Sequence, residues 1–384
     1  MHIKALYGRL VGYGALLFLF AWLAHLYVTN PLYVKRLPYF FAAWQSGAAV
    51  RCDATAPPEL DRLLKRASLP FFSLNGEAVF VGRDGATARC GVYEDGRTRM
   101  GLFRFASLTK VITSFAALEL AGEQKLDLHA PVLTYFPEVN VDHLRDPRVA
   151  EITLWHMLNH SSGLGGPFGS DNMVTRGEKP WCPYDISVLE KVRLAGEPGS
   201  NHGYNNVAYC LAGEIISRAA GADYQRYISD TYFAGYESLS FTQGDYLPQE
   251  PIYDLSNDFR FDADYVHWLD FNALAPAAGL MGNPEEFARL IRDLFIKNPD
   301  ILQAGRIENC REKGIERCYS YAFTLYDTDK GVVGVQHGYL PGASSLVAVN
   351  EQGDTLVWVA PGAALEPHHR ERMAQRVVAI LTRN

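Results

Sequence analysis

The sequence predicts an α+β domain, with an antiparallel sheet flanked by helices and by an all-helical lobe. Short apolar runs between residues 70 and 104 alternate with NG and DG dipeptides, which is typical of hairpin strands. Three β-branched segments near the end, GVVGVQHGY, ASSLVAVN and TLVWVAPG, are also separated by turn residues. Helical signals fill the interval from about 107 to 218. Strands at both ends with helices between them indicate a sheet assembled from distant parts of the chain.

Length and composition are those of a globular protein with a large core. The 384 residues are 48% hydrophobic and 21% charged. The formal net charge is -7, and Lys and Arg are scattered along the chain. An acidic chain without a basic cluster lacks the electrostatic footprint of nucleic-acid binding. We therefore expect no nucleic-acid partner.

An apolar stretch of nineteen residues runs from Leu10 to Val28 and is long enough to cross a bilayer as a helix. No A-x-A cleavage site follows it closely, which favours an uncleaved signal anchor over a cleaved signal peptide. Basic residues flank the stretch on both sides, so their distribution does not decide its orientation. We predict a membrane anchor at 1–30, a linker at 31–57 and a folded domain at 58–384.

Within this domain, the predicted hairpins lead into a helix that begins near Ser107. The segment ITLWHMLNHSSGL predicts a second helix, ended by Gly163. A third helix follows a glycine-preceded loop that contains Tyr204. The chain closes with the helical pattern EPHHRERMAQRVVAILT, which we expect to pack against the last strands.

Six cysteines, an even number, indicate an oxidising compartment outside the cytoplasm. They allow fifteen disulfide connectivities. Cys310 and Cys318 flank a short polar loop, CREKGIERC, and form the pair that we favour, because such a loop lets the sulfur atoms meet easily. The alternative is a set of unpaired, partly buried thiols.

A serine and a lysine lie one helical turn apart in the segment FRFASLTKVITSFAALEL. Positions i and i+3 share a helix face, so the Lys110 amine can exchange a proton with the Ser107 hydroxyl and activate it as a nucleophile. The first turn of a helix also favours developing negative charge. The alternative is an N-cap serine on an ordinary buried helix.

The loop PGSNHGYNN supplies a second pair of candidates, Tyr204 and Asn206. A tyrosine normally titrates near 10, but a neighbouring cation such as Lys110 favours the phenolate, which is a usable general base. The alternative is a loop tyrosine that only packs on its ring.

The segment GVQHGYLPGASS supplies the third group, Gln336, His337 and Gly338. We expect this segment to form a strand edge, where a glycine lets the backbone of a substrate approach and pair as an added strand. A backbone N–H group at such an edge is suited to bind an oxyanion.

Taken in order, SLTK, YNN and QHG resemble the S-x-x-K, Y-x-N and K/H-T-G motifs of the serine β-lactamase, penicillin-binding and esterase superfamily, in its class C-like branch. Three further segments, ITLWHMLNHSSGL, LDLHAPVLTYFPEV and PAAGLMGNPEEFARLI, also resemble this family. The resemblance extends from Gly76 to Thr382. It implies a β-lactamase-like fold and acyl transfer through a serine.

The resemblance also implies a role for each matching residue. Ser107 is the expected nucleophile, Lys110 and Tyr204 the proton-transfer pair, and Asn206 a partner of the lysine or of a substrate amide. The backbone N–H groups of Ser107 and Tyr339 are the expected oxyanion donors. The implied protein is a periplasmic hydrolase on the inner membrane that acts on a small-molecule or peptide substrate, with the cell wall as one source. The alternatives are a noncatalytic peptidoglycan- or partner-binding relative and a weak β-lactamase.

The third motif departs from the family pattern because no lysine is present. An ungapped alignment puts Gln336 at the cationic position, whereas a gap of one residue would put His337 there. A charge-assisted hydrogen bond is about twice as strong as a neutral one, so a glutamine weakens the binding of a substrate carboxylate. We therefore expect neutral esters and amides to be better substrates than cephalosporins.

Two histidines at i and i+4, His156 and His160, raise the question of a metal site. The segment HMLNH has no glutamate in the position that an HExxH motif requires. We expect His160 to brace the turn that follows it. The sequence implies no metal ion and no organic cofactor.

Overall fold

The protein is described from a computed structural model. It describes residues 2–29, 41–42, 44–45, 49–71, 73–93, 101–164, 173, 177–200, 202–253, 263–307, 318–364 and 366–383.

Helices account for both chain ends and most of the middle. The α-helices are α1 (His2–Thr29), α2 (Pro58–Phe71), α3 (Thr109–Gly122), α4 (Leu154–Leu158), α5 (Trp181–Tyr184), α6 (Asn206–Ala220), α7 (Tyr224–Tyr232), α8 (Phe271–Ala278), α9 (Pro284–Lys297), α10 (Ile301–Ala304) and α11 (Pro367–Leu381). The strands are β1 (Arg51–Cys52), β2 (Gly76–Val81), β3 (Thr87–Val92), β4 (Phe103–Arg104), β5 (Ser240–Phe241), β6 (Leu280–Gly282), β7 (Thr324–Thr328), β8 (Gly331–Leu340), β9 (Ala343–Asn350) and β10 (Thr355–Ala360).

The predicted sheet from both chain ends is confirmed. Seven of the described strands form an antiparallel sheet in the order β1-β3-β2-β10-β9-β8-β7. The central contact joins β2 to β10, with Glu77 opposite Val359. Strands β4, β6 and β5 form a small second sheet that leads into the Ser107 segment. The fold is therefore α+β, as the distribution of strand and helix signals predicts.

Each face of the large sheet buries its own apolar layer, because alternate side chains of a strand point to opposite faces. On one face, Leu346 and Trp358 pack with α2 and α11. On the other face, Val347 and Val357 pack with α3, α9 and the helical lobe. The sheet thus separates the Ser107 helix from the two terminal helices of the domain.

The predicted helix that contains His156 and His160 is shorter than the sequence pattern indicates. Helix α4 ends at Leu158, and the chain then turns through two left-handed residues, His160 at φ 61° and Gly163 at φ 74°. The Asn159 side chain accepts hydrogen bonds from the backbone and hydroxyl of Ser161, which stabilises the turn against further helix.

Disulfides join Cys52 to Cys90 and Cys182 to Cys210, and no described cysteine is free. Cys318 is also disulfide-bonded. Its predicted partner, Cys310, lies outside the described residues. These bonds fit the oxidising compartment that the cysteine count indicates.

One helix in the described part of the chain is long and apolar enough to cross a membrane. The segment Gly12–Thr29 of α1 meets both criteria, and no part of it is buried in the protein. A signal sequence has the same properties.

Candidate active site

A tight turn at the end of β4 presents Ser107. Ala106 has φ 50°, an uncommon conformation for a residue with a side chain, and a short 3₁₀ turn at Ala106–Leu108 then leads into α3. The Thr109 hydroxyl donates to the Ala106 carbonyl at 2.7 Å and accepts from the Leu280 N–H at 3.0 Å. This tie to β6 fixes the turn, so the position of Ser107 does not depend on its own side chain.

Lys110 is completely buried beside Ser107. Its Nζ lies 3.2 Å from Ser107 Oγ, 2.6 Å from Asn206 Oδ1 and 2.8 Å from the Ala277 carbonyl oxygen. An ammonium group has three protons to donate, and these three oxygens accept them. The arrangement therefore suits a charged lysine, which supplies a fixed positive charge next to Ser107.

Tyr204 lies on the other side of Ser107. Its hydroxyl donates to Ser107 Oγ at 2.7 Å, and Lys110 Nζ lies 4.9 Å from the centre of its ring. The Tyr204 side chain is about half exposed, which keeps it accessible to solvent. The next residue, Asn205, caps α6 by accepting from the Ala208 N–H. Asn206 begins the helix and directs its amide oxygen at Lys110.

Strand β8 lies on a third side of Ser107, the other two being those of Lys110 and Tyr204. The Gln336 side-chain amide donates to the Ser107 carbonyl oxygen at 3.3 Å. At Gly338, a Cβ atom would come within 2.1 Å of Ser345 Oγ and 2.3 Å of the Phe105 carbonyl oxygen. Only a glycine fits this contact without displacing the strand. Among the described strands, β7 pairs with β8 only up to Val335, so the segment from Gln336 onwards forms the strand edge that the sequence predicts.

The two candidates for the cationic position of the third motif lie on opposite faces of β8. Gln336 is on the Ser107 face. His337 is on the α11 face, where burial and the nearby Arg370 lower its pKa to about 4. The Tyr339 ring also points to that side, 5.1 Å from the Arg370 guanidinium, and its backbone pairs with Ser344. The structure therefore brings Gln336 to Ser107 and directs the His337 side chain away.

His160 supports the Tyr204 loop from behind. Its Nδ1 accepts the Asn205 N–H at 3.2 Å, and its carbonyl oxygen accepts the Gly203 N–H at 2.7 Å. Its ring centre lies 4.3 Å from that of Tyr204. Burial, His202 and Lys110 hold the pKa of His160 well below its usual value, so the imidazole is neutral and acts as an acceptor. Contacts with the Tyr204 loop extend the bracing role that the sequence predicts.

The described residues contain no group of three or more His, Cys, Asp and Glu residues arranged to hold a metal ion. His156, the second histidine of the HMLNH segment, instead accepts the Thr153 N–H and closes a capping box on α4.

A buried ion pair next to the site has no signal in the sequence. Arg104, on β4, donates to Glu250 from Nε at 2.7 Å and from Nη2 at 3.1 Å, and both side chains are almost completely buried. Tyr253 donates a further hydrogen bond to Glu250 at 2.8 Å. The pair fixes β4 to the segment around Glu250, and Arg104 lies three residues before Ser107. Its two members are far apart in the sequence, so local patterns do not reveal it.

Comparisons with known proteins identify the family of this chain. The sequence model of the Beta-lactamase family matches residues 73–382. A putative fimbrial assembly protein, FimD of Dichelobacter nodosus serogroup D, is 29% identical over 351 residues, which are 89% of this chain and 88% of that protein. Esterase EstB of Burkholderia gladioli is 32% identical over 196 residues, 48% of each chain.

Solved structures share the fold. D-amino acid amidase from Ochrobactrum anthropi SV3 superimposes with a TM-score of 0.62 at 20% identity, covering 84% of this chain and 98% of that one. A beta-lactamase/D-alanine carboxypeptidase from Yersinia pestis gives a TM-score of 0.60 at 18% identity, covering 84% and 97%. The family match spans most of the folded domain, and the fold agrees with it; this chain belongs to the beta-lactamase family of serine hydrolases.

Proposed function

We propose that this protein is a membrane-anchored periplasmic serine hydrolase that forms an acyl-enzyme on Ser107 and cleaves an ester or an amide. The observation that carries the proposal is the position of Ser107 Oγ, which lies 2.7 Å from the Tyr204 hydroxyl and 3.2 Å from Lys110 Nζ. A hydroxyl nucleophile needs a proton acceptor within hydrogen-bond reach. Tyr204 meets that requirement when it is ionised.

The proton-transfer roles follow from the charge on Lys110. A lysine that donates to three oxygens has no lone pair to accept a proton, so its charge instead stabilises the Tyr204 phenolate. The phenolate takes the Ser107 proton as Oγ attacks the substrate carbonyl, and returns it to the leaving alcohol or amine. It then takes a proton from water, the resulting hydroxide attacks the acyl-enzyme, and the proton passes back to Ser107 as the acid is released.

The oxyanion formed in each attack needs hydrogen-bond donors. We propose the backbone N–H groups of Ser107 and Tyr339 for this role. Support comes from the contact of β8 with the turn at Ala106–Leu108, which we call the nucleophile turn. There Gln336 donates to the Ser107 carbonyl, and Gly338 packs on Phe105. Through this contact, β8 and the nucleophile turn form one rigid unit.

For the substrate, we propose an ester or an amide. A neutral one fits best, and a D-alanyl peptide from the cell wall, which ends in a carboxylate, fits less well. Gln336 supplies a neutral amide on the Ser107 face, so the site offers no cation at this position to a substrate carboxylate. The esterase, amidase and carboxypeptidase among the similar proteins fit these bond types. A β-lactam with its carboxylate is the poorer fit.

For the location, we propose an inner-membrane anchor at 1–30, a linker at 31–57 and a catalytic domain at 58–384 in the periplasm. Helix α1 supports the anchor, and the disulfides Cys52–Cys90 and Cys182–Cys210 support an oxidising compartment. The proposed mechanism uses no metal and no organic cofactor.

Labelling with a fluorophosphonate tests the nucleophile, since this probe reacts with activated serines. We expect covalent labelling of the wild type, mapped to Ser107 by mass spectrometry, and none of Ser107→Ala. Ser187→Ala, which removes a hydroxyl bound only to Asp185 in the described structure, is the matched control and should label normally. Hydrolysis of p-nitrophenyl esters, D-alanyl peptides and a cephalosporin by the same proteins then identifies the bond. An unlabelled wild type with no turnover in this panel would refute the proposal.

A second candidate is a noncatalytic protein that binds a partner in its cleft. It is favoured by FimD, which is named a fimbrial assembly protein and matches over 88% of its length. In this case Ser107→Ala retains full function in a fimbriation assay, and the fluorophosphonate does not react.

A further inference from the structure

A cluster of arginines lines a groove on the face of the domain opposite Ser107. Arg62 and Arg66 of α2 face Arg376 and Arg383 at the end of the chain across a cavity of about 140 Å³. We call this set the arginine groove. Glu59 is the one acidic residue among the groups that line it.

The positive charge of the arginine groove is not neutralised within the described structure. Glu59 binds both Arg62, at 2.6 Å, and Arg383, so a single carboxylate serves two guanidinium groups. Arg66 and Arg376 form no ion pair with a described residue. Other acids on the two helices have partners of their own. Asp61 binds Lys65, Glu366 binds His368, and Glu371 accepts from Tyr326 and Gln375.

The electrostatics of neighbouring groups show this excess charge. Burial lowers the pKa of Arg376, and the nearby Arg66 and Arg372 lower it further. The pKa of His369 is lowered by burial and His368, and additionally by Arg372 and Arg376. Like charges held this close are stabilised by an anion that lies between them.

The attachment of the anchor lies on the same side of the domain. The Cys52–Cys90 disulfide joins β1 to the edge of the large sheet, and α2 follows β1 directly and packs on β2 and β3. The 21 residues from 30 to 50 separate this point from α1, and a chain of that length can span at most about 75 Å. A membrane that holds α1 is therefore within reach of the arginine groove.

We propose that the arginine groove binds the phosphate headgroups of anionic phospholipids in the membrane that holds α1. This inference rests on the membrane anchor of the proposed function. Charge complementarity selects the occupant, because guanidinium groups bind phosphate oxygens in pairs of hydrogen bonds. Exposed charges interact only within about 8 Å at physiological ionic strength, so the helices must lie on the surface of the bilayer. The sheet then lies between the membrane and Ser107, and the cleft opens away from the bilayer.

The full-length chain in lipid nanodiscs tests this orientation by energy transfer. A fluorophore on Gln375→Cys, an exposed and uncharged position next to Arg376 on α11, is the donor, and a labelled headgroup is the acceptor. We expect higher transfer efficiency in nanodiscs that contain phosphatidylglycerol than in those of phosphatidylcholine alone. High salt should abolish the difference, because it screens the charges.

Charge reversal tests which arginines bind the lipid headgroups. Arg66→Glu with Arg376→Glu should remove the lipid-dependent increase, lowering occupancy of the membrane-bound orientation about tenfold or more. The matched control reverses two exposed arginines of the helical lobe, Arg193→Glu with Arg226→Glu, and should retain the increase. Equal transfer in both lipids, or an equal loss in both double variants, would overturn the proposal. Thermal unfolding of each variant establishes that it is folded.

Two further measurements separate this inference from the proposed function. Flotation of the full-length chain with phosphatidylcholine vesicles tests the anchor alone. A chain that does not float refutes the membrane anchor and the lipid-binding groove that depends on it, and leaves the hydrolase to its own test. A chain that floats without lipid-dependent transfer refutes only the groove. The second measurement is a titration of the protein with inorganic phosphate. Saturable binding without lipid-dependent transfer would identify a soluble anion as the occupant of the arginine groove. Ester hydrolysis by the Arg66→Glu, Arg376→Glu variant should remain at the wild-type level.

Discussion

The Tyr204 hydroxyl donates to Ser107 Oγ at 2.7 Å while the Lys110 ammonium lies 4.9 Å from the centre of the same phenol ring. Serine, tyrosine and lysine thus form a compact unit in which each member contacts the other two. In the proposed mechanism, the lysine contributes charge, the tyrosine exchanges the proton, and the serine carries the acyl group.

Tyr204→Phe should lower kcat for a p-nitrophenyl ester by about 10² to 10⁴, because it removes the general base and leaves the ring in place. We expect little change in the melting temperature, since the phenol is about half exposed. Tyr184→Phe removes an equally exposed hydroxyl outside the site and should retain full activity. Wild-type kcat in Tyr204→Phe would assign the proton transfer to another group.

Gln336→Lys should raise kcat/KM for a cephalosporin relative to a neutral ester. The substitution puts a cation on the Ser107 face of β8, where it can bind a substrate carboxylate. His337→Lys is the matched control, because its side chain lies on the opposite face and should leave the ratio unchanged. A wild-type domain that hydrolyses cephalosporins efficiently and leaves esters and amides untouched would contradict this prediction.

Gly338→Ala should reduce both activity and stability. Its Cβ atom would overlap the Phe105 carbonyl oxygen and Ser345 Oγ, so β8 must move away from the nucleophile turn. We expect a loss of roughly 1–3 kcal/mol in the free energy of unfolding and a lower kcat. Gly122→Ala, at the end of α3 with open space around its Cβ position, is the control and should not destabilise the protein. Denaturant unfolding and ester hydrolysis measure the two effects.

Glu250→Ala should destabilise the domain by about 3–5 kcal/mol, because it leaves the buried Arg104 guanidinium without its carboxylate. The matched control is Asp230→Ala, which breaks the exposed pair with Arg226 and should cost less than about 1 kcal/mol. Urea denaturation distinguishes the two. Equal small losses would show that water or another group replaces Glu250.

Stability should fall as the pH decreases from 6.5 towards 4. Burial and Arg370 lower the pKa of His337 from 6.5 to about 4, so the unfolded chain takes up this proton first and gains stability below pH 6.5. His160 acts in the same direction. Asp146, whose pKa is lowered from 3.8 by the Arg148 side chain, adds its own loss of stability only at lower pH, near and below 3.8. His337→Asn should flatten the slope between pH 6.5 and 4. An unchanged slope in this variant would exclude His337 as a contributor.

The sequence predicts those parts of the site that depend on local spacing. Ser107 and Lys110 meet because positions i and i+3 share a helix face, and Asn206 follows a loop that ends at a cap. The choice between Gln336 and His337 cannot be made from the sequence, because one residue of register exchanges the two faces of a strand. The Arg104–Glu250 pair is hidden because its members are joined only by tertiary packing.

The sequence predicts the sheet correctly but not the end of α4, and the reason is again whether a local pattern exists. Alternating apolar residues indicate strands anywhere in the chain, so the sequence predicts the strands from the N-terminal part and those from the C-terminal part of the domain equally well. The end of α4 depends on the Asn159 side chain and on a left-handed His160, and neither has a periodic signal. Tertiary contacts with the Tyr204 loop stabilise that conformation.

The pairing of β2 with β10 sets the order in which the domain is completed during synthesis. Glu77 is opposite Val359, so the centre of the sheet combines the first large strand made by the ribosome with the last. A β2–β3 hairpin alone is at best marginally stable in water. Translation that stops before Thr355 therefore yields a chain without its central strand contact, and this contact can form only after the C-terminal residues emerge.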